Sequence, residues 1–267
     1  MNQKAQGMTA LVTGASTGIG ALYADRLARR GHDLILVARD QARLDAVAAR
    51  LRAETGRAVE VLPADLADDG ALRGLEARLR EDARIGVLVN NAGMAVAAPL
   101  LAADPGRLEA MVRLNVVAAM RLAVAAAQAF APRGEGTIIN IASVLALVPE
   151  MFNGAYSGTK AFVLNLTQAL QAELAGRGVR VQAVLPGATR TEIWDRAGTA
   201  LSALPAQMLM EAAEMVDAAL AGLDLGEAVT LPALPDLAQW EAFQAARAAM
   251  GPNLSLNHPA ARYRGAA

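Results

Sequence analysis

The sequence predicts an α/β fold: a doubly wound parallel sheet of about seven strands, with helices on both faces. Three observations predict it. Short apolar runs alternate with amphipathic stretches along the whole chain. The first run ends in a glycine-rich turn that opens onto a helical pattern. No linker, low-complexity tract or internal repeat interrupts the alternation, so residues 1–267 read as a single domain.

The first strand is Ala10-Leu11-Val12, and the turn after it is Thr13-Gly14-Ala15-Ser16-Thr17-Gly18-Ile19-Gly20. Gly14 permits a sharp turn, Gly18 lets a ligand approach the backbone, and Gly20 allows the helix to pack closely on the strand. The helix then offers unpaired N–H groups and a positive dipole end to an anion such as pyrophosphate. Three residues separate Gly14 from Gly18 and one separates Gly18 from Gly20, which differs from the Rossmann spacing G-x-G-x-x-G. Taken alone, the turn has a second and weaker reading as a glycine-rich loop without ligand.

The later strands are Leu34 to Val37, Val59 to Leu62, Val87 to Val89, Thr137 to Ile141, Val179 to Leu185 and Ala228 to Leu231. Between them Leu44, Val47, Leu51 and then Leu72, Leu75, Leu79 recur at helical spacing. The second strand ends at Ala38-Arg39-Asp40, where a dinucleotide fold reads the adenosine ribose. The Arg39 guanidinium suits the 2′-phosphate of NADP, with Arg43 assisting, so NADP(H) is preferred and NAD(H) stays possible. Asp40 reads as the N-cap of the next helix. Asp65, with Leu66 behind it, accepts from an adenine amino group or caps the helix beginning near Asp68. Asn90-Asn91-Ala92-Gly93 leaves the fourth strand with side chains able to bond across the sheet, or as an ordinary turn. Asn115, in an Ala/Val helix, needs partners.

Ser143 leaves the fifth strand, and Tyr156-Ser157-Gly158-Thr159-Lys160 opens another helix. Tyr156 and Lys160 share a helix face. A phenol of pKa about 10 is a poor acid–base catalyst at neutral pH. An ammonium one turn away is expected to lower that pKa. Gly158 costs the helix about 1 kcal/mol relative to alanine, which a close backbone approach would explain.

Composition excludes much else. The chain has no cysteine, a formal net charge of −1 and 54% hydrophobic residues. Disulfides and thiolate chemistry are therefore out, nothing attracts nucleic acid or an anionic membrane, and no metal site is expected. His32 and His258 read as loop residues. The start of the chain lacks the apolar run of a signal peptide, and Arg121 interrupts the most apolar helical stretch, Val116 to Ala131. A cytoplasmic protein is expected.

In order and spacing, the turn from Thr13 to Gly20, Asn90 to Gly93, Asn115, Ser143, Tyr156 to Lys160 and Pro186-Gly187 resemble the short-chain dehydrogenase/reductase family. The resemblance runs from the first strand to about Thr191, and implies a Rossmann-type domain and an oxidoreductase acting on a carbonyl or alcohol. It implies Tyr156 as proton donor or base, Ser143 as the group orienting the carbonyl, and Lys160 on the nicotinamide ribose. Asn115 would hold a water linking Lys160 to solvent, Asp65 would bind adenine and Asn91 would lie against the adenosine ribose. The backbone after Pro186, including Gly187 and Thr189, and the Thr191 hydroxyl would hold carboxamide and phosphates. A mobile lid is implied over about 188–225, and pairing through the helices Leu108 to Ala131 and Tyr156 to Glu173 implies a homodimer or homotetramer. Ile193, Trp194, Leu204, Met208 and Met215 either face a medium-sized hydrophobic substrate, the preferred reading, or pack on the core or on a neighbouring subunit. A closing helix is read over Pro232 to Met250, and Leu254 to Ala267 as a tail that wraps a partner or frays. The alternative function is a dinucleotide-binding sensor without turnover; the intact set Asn115, Ser143, Tyr156 and Lys160 favours the enzyme.

Overall fold

The computed structural model describes residues 7–263, and readings that fall on 1–6 and 264–267 lie outside them. β1 (Thr9–Thr13), β2 (Leu34–Ala38), β3 (Val59–Pro63), β4 (Ile85–Asn90), β5 (Gly136–Ile141) and β6 (Val179–Val184) are the main strands. They join β9 (Val229–Thr230) in a seven-stranded sheet of order β3-β2-β1-β4-β5-β6-β9. Every pairing in it is parallel. The short β7 (Thr189–Arg190) and β8 (Met210–Glu211) pair separately.

Successive strand residues face opposite sides, and the core divides accordingly. Ala10, Val12, Leu34, Leu36 and Val87 pack with α1 (Gly18–Arg29), α2 (Gln41–Thr55) and α8 (Ala212–Leu225). Leu11, Ile35, Val37, Leu88 and Ile138 pack with α3 (Asp69–Glu81), α5 (Ala119–Arg133) and α6 (Gly154–Glu173). With both faces covered, the central strands read as unbroken apolar runs.

The helix read over Leu108 to Ala131 is composite. α4 (Pro105–Val112) passes through a π-helical turn, Arg113–Ala118, into α5. The whole stretch Pro105–Arg133 is long and apolar enough to cross a membrane, yet half of its most apolar window is buried in the protein. Arg121 on it pairs with Glu76 and Asp69 of α3.

α8 corrects the lid boundary. Met215, Val216, Ala219 and Leu220 are core residues, and α8 packs on α1, so the stretch from 212 to 225 is scaffold. His32 lies in the α1–β2 connection as read, but buried, with Nδ1 2.8 Å from the Met8 carbonyl.

The chain forms two compact units, divided between Pro232 and Ala233. The second contains α9 (Leu237–Met250), capped by Asp236 and carrying a tilted Trp240–Phe243 ring pair with centroids 5.6 Å apart.

Between β1 and β4, Thr13 Oγ1 accepts from Asn91 N and Ala92 N, each at 2.9 Å, and donates to Val89 O at 3.3 Å. Thr13→Val keeps the shape and strands two amides. A loss of about 2 kcal/mol is expected, read as a lower urea midpoint at unchanged slope.

Candidate active site

The glycine turn, Arg39, Asp65, Asn91, Ser143 and Pro186 follow the carboxyl ends of β1 to β6, around the β1/β4 boundary where the strand order reverses, while Asn115 and Tyr156 to Lys160 are carried on helices. Gly14 and Gly18 have φ of +66° and +54°, conformations that side chains rarely adopt. A Cβ on Gly20 would strike the Gly14 carbonyl and the Asn91 amide, so α1 can approach β1 this closely only with glycine there. Asn91 Nδ2 donates to Thr13 O at 2.9 Å, the cross-sheet bond that the sequence allows.

No side chain caps α1 at Thr17, whereas α2, α3, α4 and α6 are capped by Asp40, Asp68, Asp104 and Asn153. The first-turn amides of α1 therefore face the cleft without an internal acceptor. Asp40 is the expected cap, taking Arg43 N at 3.0 Å. Asp65 is not the cap of α3: its carboxylate turns back to Ala67 N, and Asp68 does the capping.

A cleft of about 660 Å³ runs along this edge. Gly14, Ser16, Thr17, Gly18, Ile19, Arg39, Asp65, Leu66, Asn91, Ala92, Gly93 and Thr191 line it, so the structure brings most of the expected cofactor residues to one surface. A second cavity of about 270 Å³ adjoins it and shares Ile19, Asn91, Gly93 and Thr191. Ser143, Tyr156, Lys160, Pro186, Gly187 and Thr189 line that one.

Ser143 Oγ accepts from Leu145 N at 3.2 Å and donates to Pro186 O at a long 3.4 Å. Lys160 is buried, its Nζ donating to Ile141 O at 2.9 Å. Asn115, in the π-helical turn, is outside both cavity walls. Its amide donates to Met94 O and Thr159 Oγ1, and its Oδ1 accepts from Met94 N at 2.9 Å. These bonds fasten the loop after β4 to α6.

Two expectations reverse here. Burial pushes the Tyr156 phenol up to about 12, opposed only by its hydrogen bond with Ser143. Burial likewise pushes Lys160 down to about 8. The lysine lies 5.8 Å from the Tyr156 ring centroid with its nitrogen on a carbonyl, so loss of water dominates over its field. The second reversal is Gly158: nothing lies within 4 Å of a Cβ built there, and no backbone approaches it.

Other cavity residues escaped the sequence reading. Phe152 meets Tyr156 edge-on at 5.5 Å and Trp194 at 6.4 Å, and Met151 and Val148 extend the same wall. They sit in and around the short 3-10 turn Pro149–Met151, which carries no apolar periodicity; their only signal is closeness to Tyr156 in the chain.

Comparison with known proteins agrees with this arrangement. The family model for short chain dehydrogenase matches residues 8–201. Human 17-beta-hydroxysteroid dehydrogenase type 3 is 32% identical over 191 residues, 70% of this chain but only 61% of that protein. A short-chain dehydrogenase from Sphingobium yanoikuyae in complex with NADPH is 52% identical, with a TM-score of 0.93 over 96% of this chain and 100% of the other. The bulky-bulky ketone specific alcohol dehydrogenase from Comamonas testosteroni is 46% identical, with a TM-score of 0.88 over 96% and 98%. With the family's motifs on one sheet edge and the family model covering most of the chain, the protein belongs to the short-chain dehydrogenase family.

Proposed function

We propose that the protein is an NADP(H)-dependent oxidoreductase that exchanges hydride with a carbonyl or secondary alcohol of a medium-sized hydrophobic substrate. The observation that carries this reading is the junction of the two cavities: a ligand laid along the glycine turn ends beside Tyr156, Ser143 and Lys160.

The larger cleft fits a dinucleotide on three counts. Its glycine turn lines it with the positive-φ backbone of Gly14 and Gly18, its helix N-terminus lacks a side-chain cap, and Arg39 on its rim has no partner among the described residues. Pyrophosphate matches the uncapped amides, and a 2′-phosphate matches the free guanidinium. The NADPH bound in the Sphingobium relative supports the same choice. Bound NADPH supplies hydride to the substrate carbon.

The chain's own residues then manage the oxygen. Ser143 turns its hydroxyl from the long Pro186 contact to the substrate oxygen, its Leu145 bond steadying the rotor. Tyr156, a phenol whose burial keeps it protonated well beyond neutral pH, donates to that oxygen as charge develops there. The Lys160 ammonium, with donors to spare beyond Ile141, stabilises the resulting phenolate. Asn115 retains an acceptor lone pair for a water that returns the proton.

The smaller cavity sets the substrate class. Val148, Met151, Phe152, Trp194, Leu204 and Met208 offer apolar contact, and among the described residues Lys160 is the only cation on its wall. An anionic substrate finds no second charge there, whereas a ketone flanked by two apolar groups does fit. The ketone specificity of the Comamonas relative points the same way.

Tyr156→Phe should lower kcat at least about a hundredfold while leaving NADPH affinity within about twofold, read by stopped turnover and fluorescence titration. Ketone reduction should hold through neutral pH and fall above about pH 8, where Lys160 loses its proton; a pH–rate profile checks this limb. NADPH should show the lower Michaelis constant against NADH, and Arg39→Ala should erase most of the difference by removing the free guanidinium; equal constants in the parent protein would overturn the NADP assignment.

A further inference from the structure

Glu192 stands at the front of the segment covering the smaller cavity, and the chemistry above has no use for it. Its carboxylate takes two hydrogen bonds from Arg43 Nη1, at 2.8 and 3.1 Å, and one from Arg196 at 2.5 Å. Arg43 belongs to the first turn of α2, with Nε 3.4 Å from Asp40. Arg39, Asp40 and Arg43 line one rim of the larger cleft, and Thr191, Glu192 and Arg196 line the other. The Arg43–Glu192 pair therefore bridges the cleft, from the end of β2 to the segment leading into the aromatic wall.

The bridge is built to exchange. Both side chains are 48% exposed, and pairs so exposed bind weakly. Glu192 keeps Arg196, one helical turn on, if it loses Arg43. Arg43 in turn gains from a phosphate dianion, which offers more charge and more acceptor oxygens than a carboxylate. Beside it, Arg39 is already free to take the same phosphate. A nucleotide without that phosphate brings nothing that competes for Arg43.

We infer that Glu192 is a specificity-determining residue: it occupies Arg43 until a 2′-phosphate displaces it, and the displacement releases the leading edge of the 192–208 segment. This rests on the NADP reading above. The carboxylate thus competes with the very group that the two arginines recognise. It also couples recognition at the adenosine end to freedom of the wall around Trp194.

The test uses the full chain and two probes without nicotinamide, 2′,5′-ADP and 5′-AMP, titrated calorimetrically at low salt. Glu192→Gln should tighten 2′,5′-ADP about fivefold and leave 5′-AMP within about twofold. In an Arg43→Met background the same change should have no effect on 2′,5′-ADP, since the exchange needs both partners. Amide exchange over 193–208 should rise when the parent protein binds 2′,5′-ADP, but not 5′-AMP. Equal tightening of both probes, or a gain that survives in Arg43→Met, would overturn the exchange while leaving a parent preference for 2′,5′-ADP intact. If the parent bound both probes equally, the NADP reading would fall and the proposal with it.

Discussion

The tie between β1 and β4 through Thr13 and Asn91 is the constraint on which the site depends. At a reversal of strand order the connections leave in opposite directions, and the two strand ends would otherwise part with unpaired amides. Thr13 Oγ1 accepts two of those amides, and Asn91 returns a bond to Thr13 O. That tie fixes the floor of the larger cleft. It also explains why Gly20 has no room for a side chain: the Asn91 amide and the Gly14 carbonyl occupy the space.

From that floor the chemistry is set by burial more than by proximity. Tyr156 and Lys160 share a helix face, so sequence spacing makes mutual attraction look decisive. In the folded chain each has lost its water. The loss favours the neutral form of both, raising the phenol and lowering the amine. A phenol held protonated is a donor first, and an amine near its own midpoint is responsive to small changes of charge beside it.

Much of the architecture was legible in the chain because parallel strands buried on both faces read as apolar runs, and capping is local chemistry. Asp40 is a cap because three residues suffice to define one. What depends on distant partners was not legible. Met208 and Met215 look alike in sequence, yet one is exposed beside the smaller cavity and the other is wholly buried against α1. Asp65 and Asp68 are both plausible caps, and only the backbone path after β3 separates them. Phe152 carries no pattern at all, because its neighbour Trp194 comes forty-two residues later through the fold (194 − 152). The sign of the tyrosine shift failed for the same reason: desolvation is a property of the assembled core.

The bare N-terminus of α1 has a consequence for how the protein persists. α2 and α3 bring their own side-chain acceptors, while α1 has none. An anionic ligand is then a structural component as well as a reactant, adding about 2.7 kcal/mol to folding when present at a hundred times its dissociation constant. The chain's lifetime would track the nucleotide pool around it, and a rich pool would shelter variants too fragile to stand by themselves.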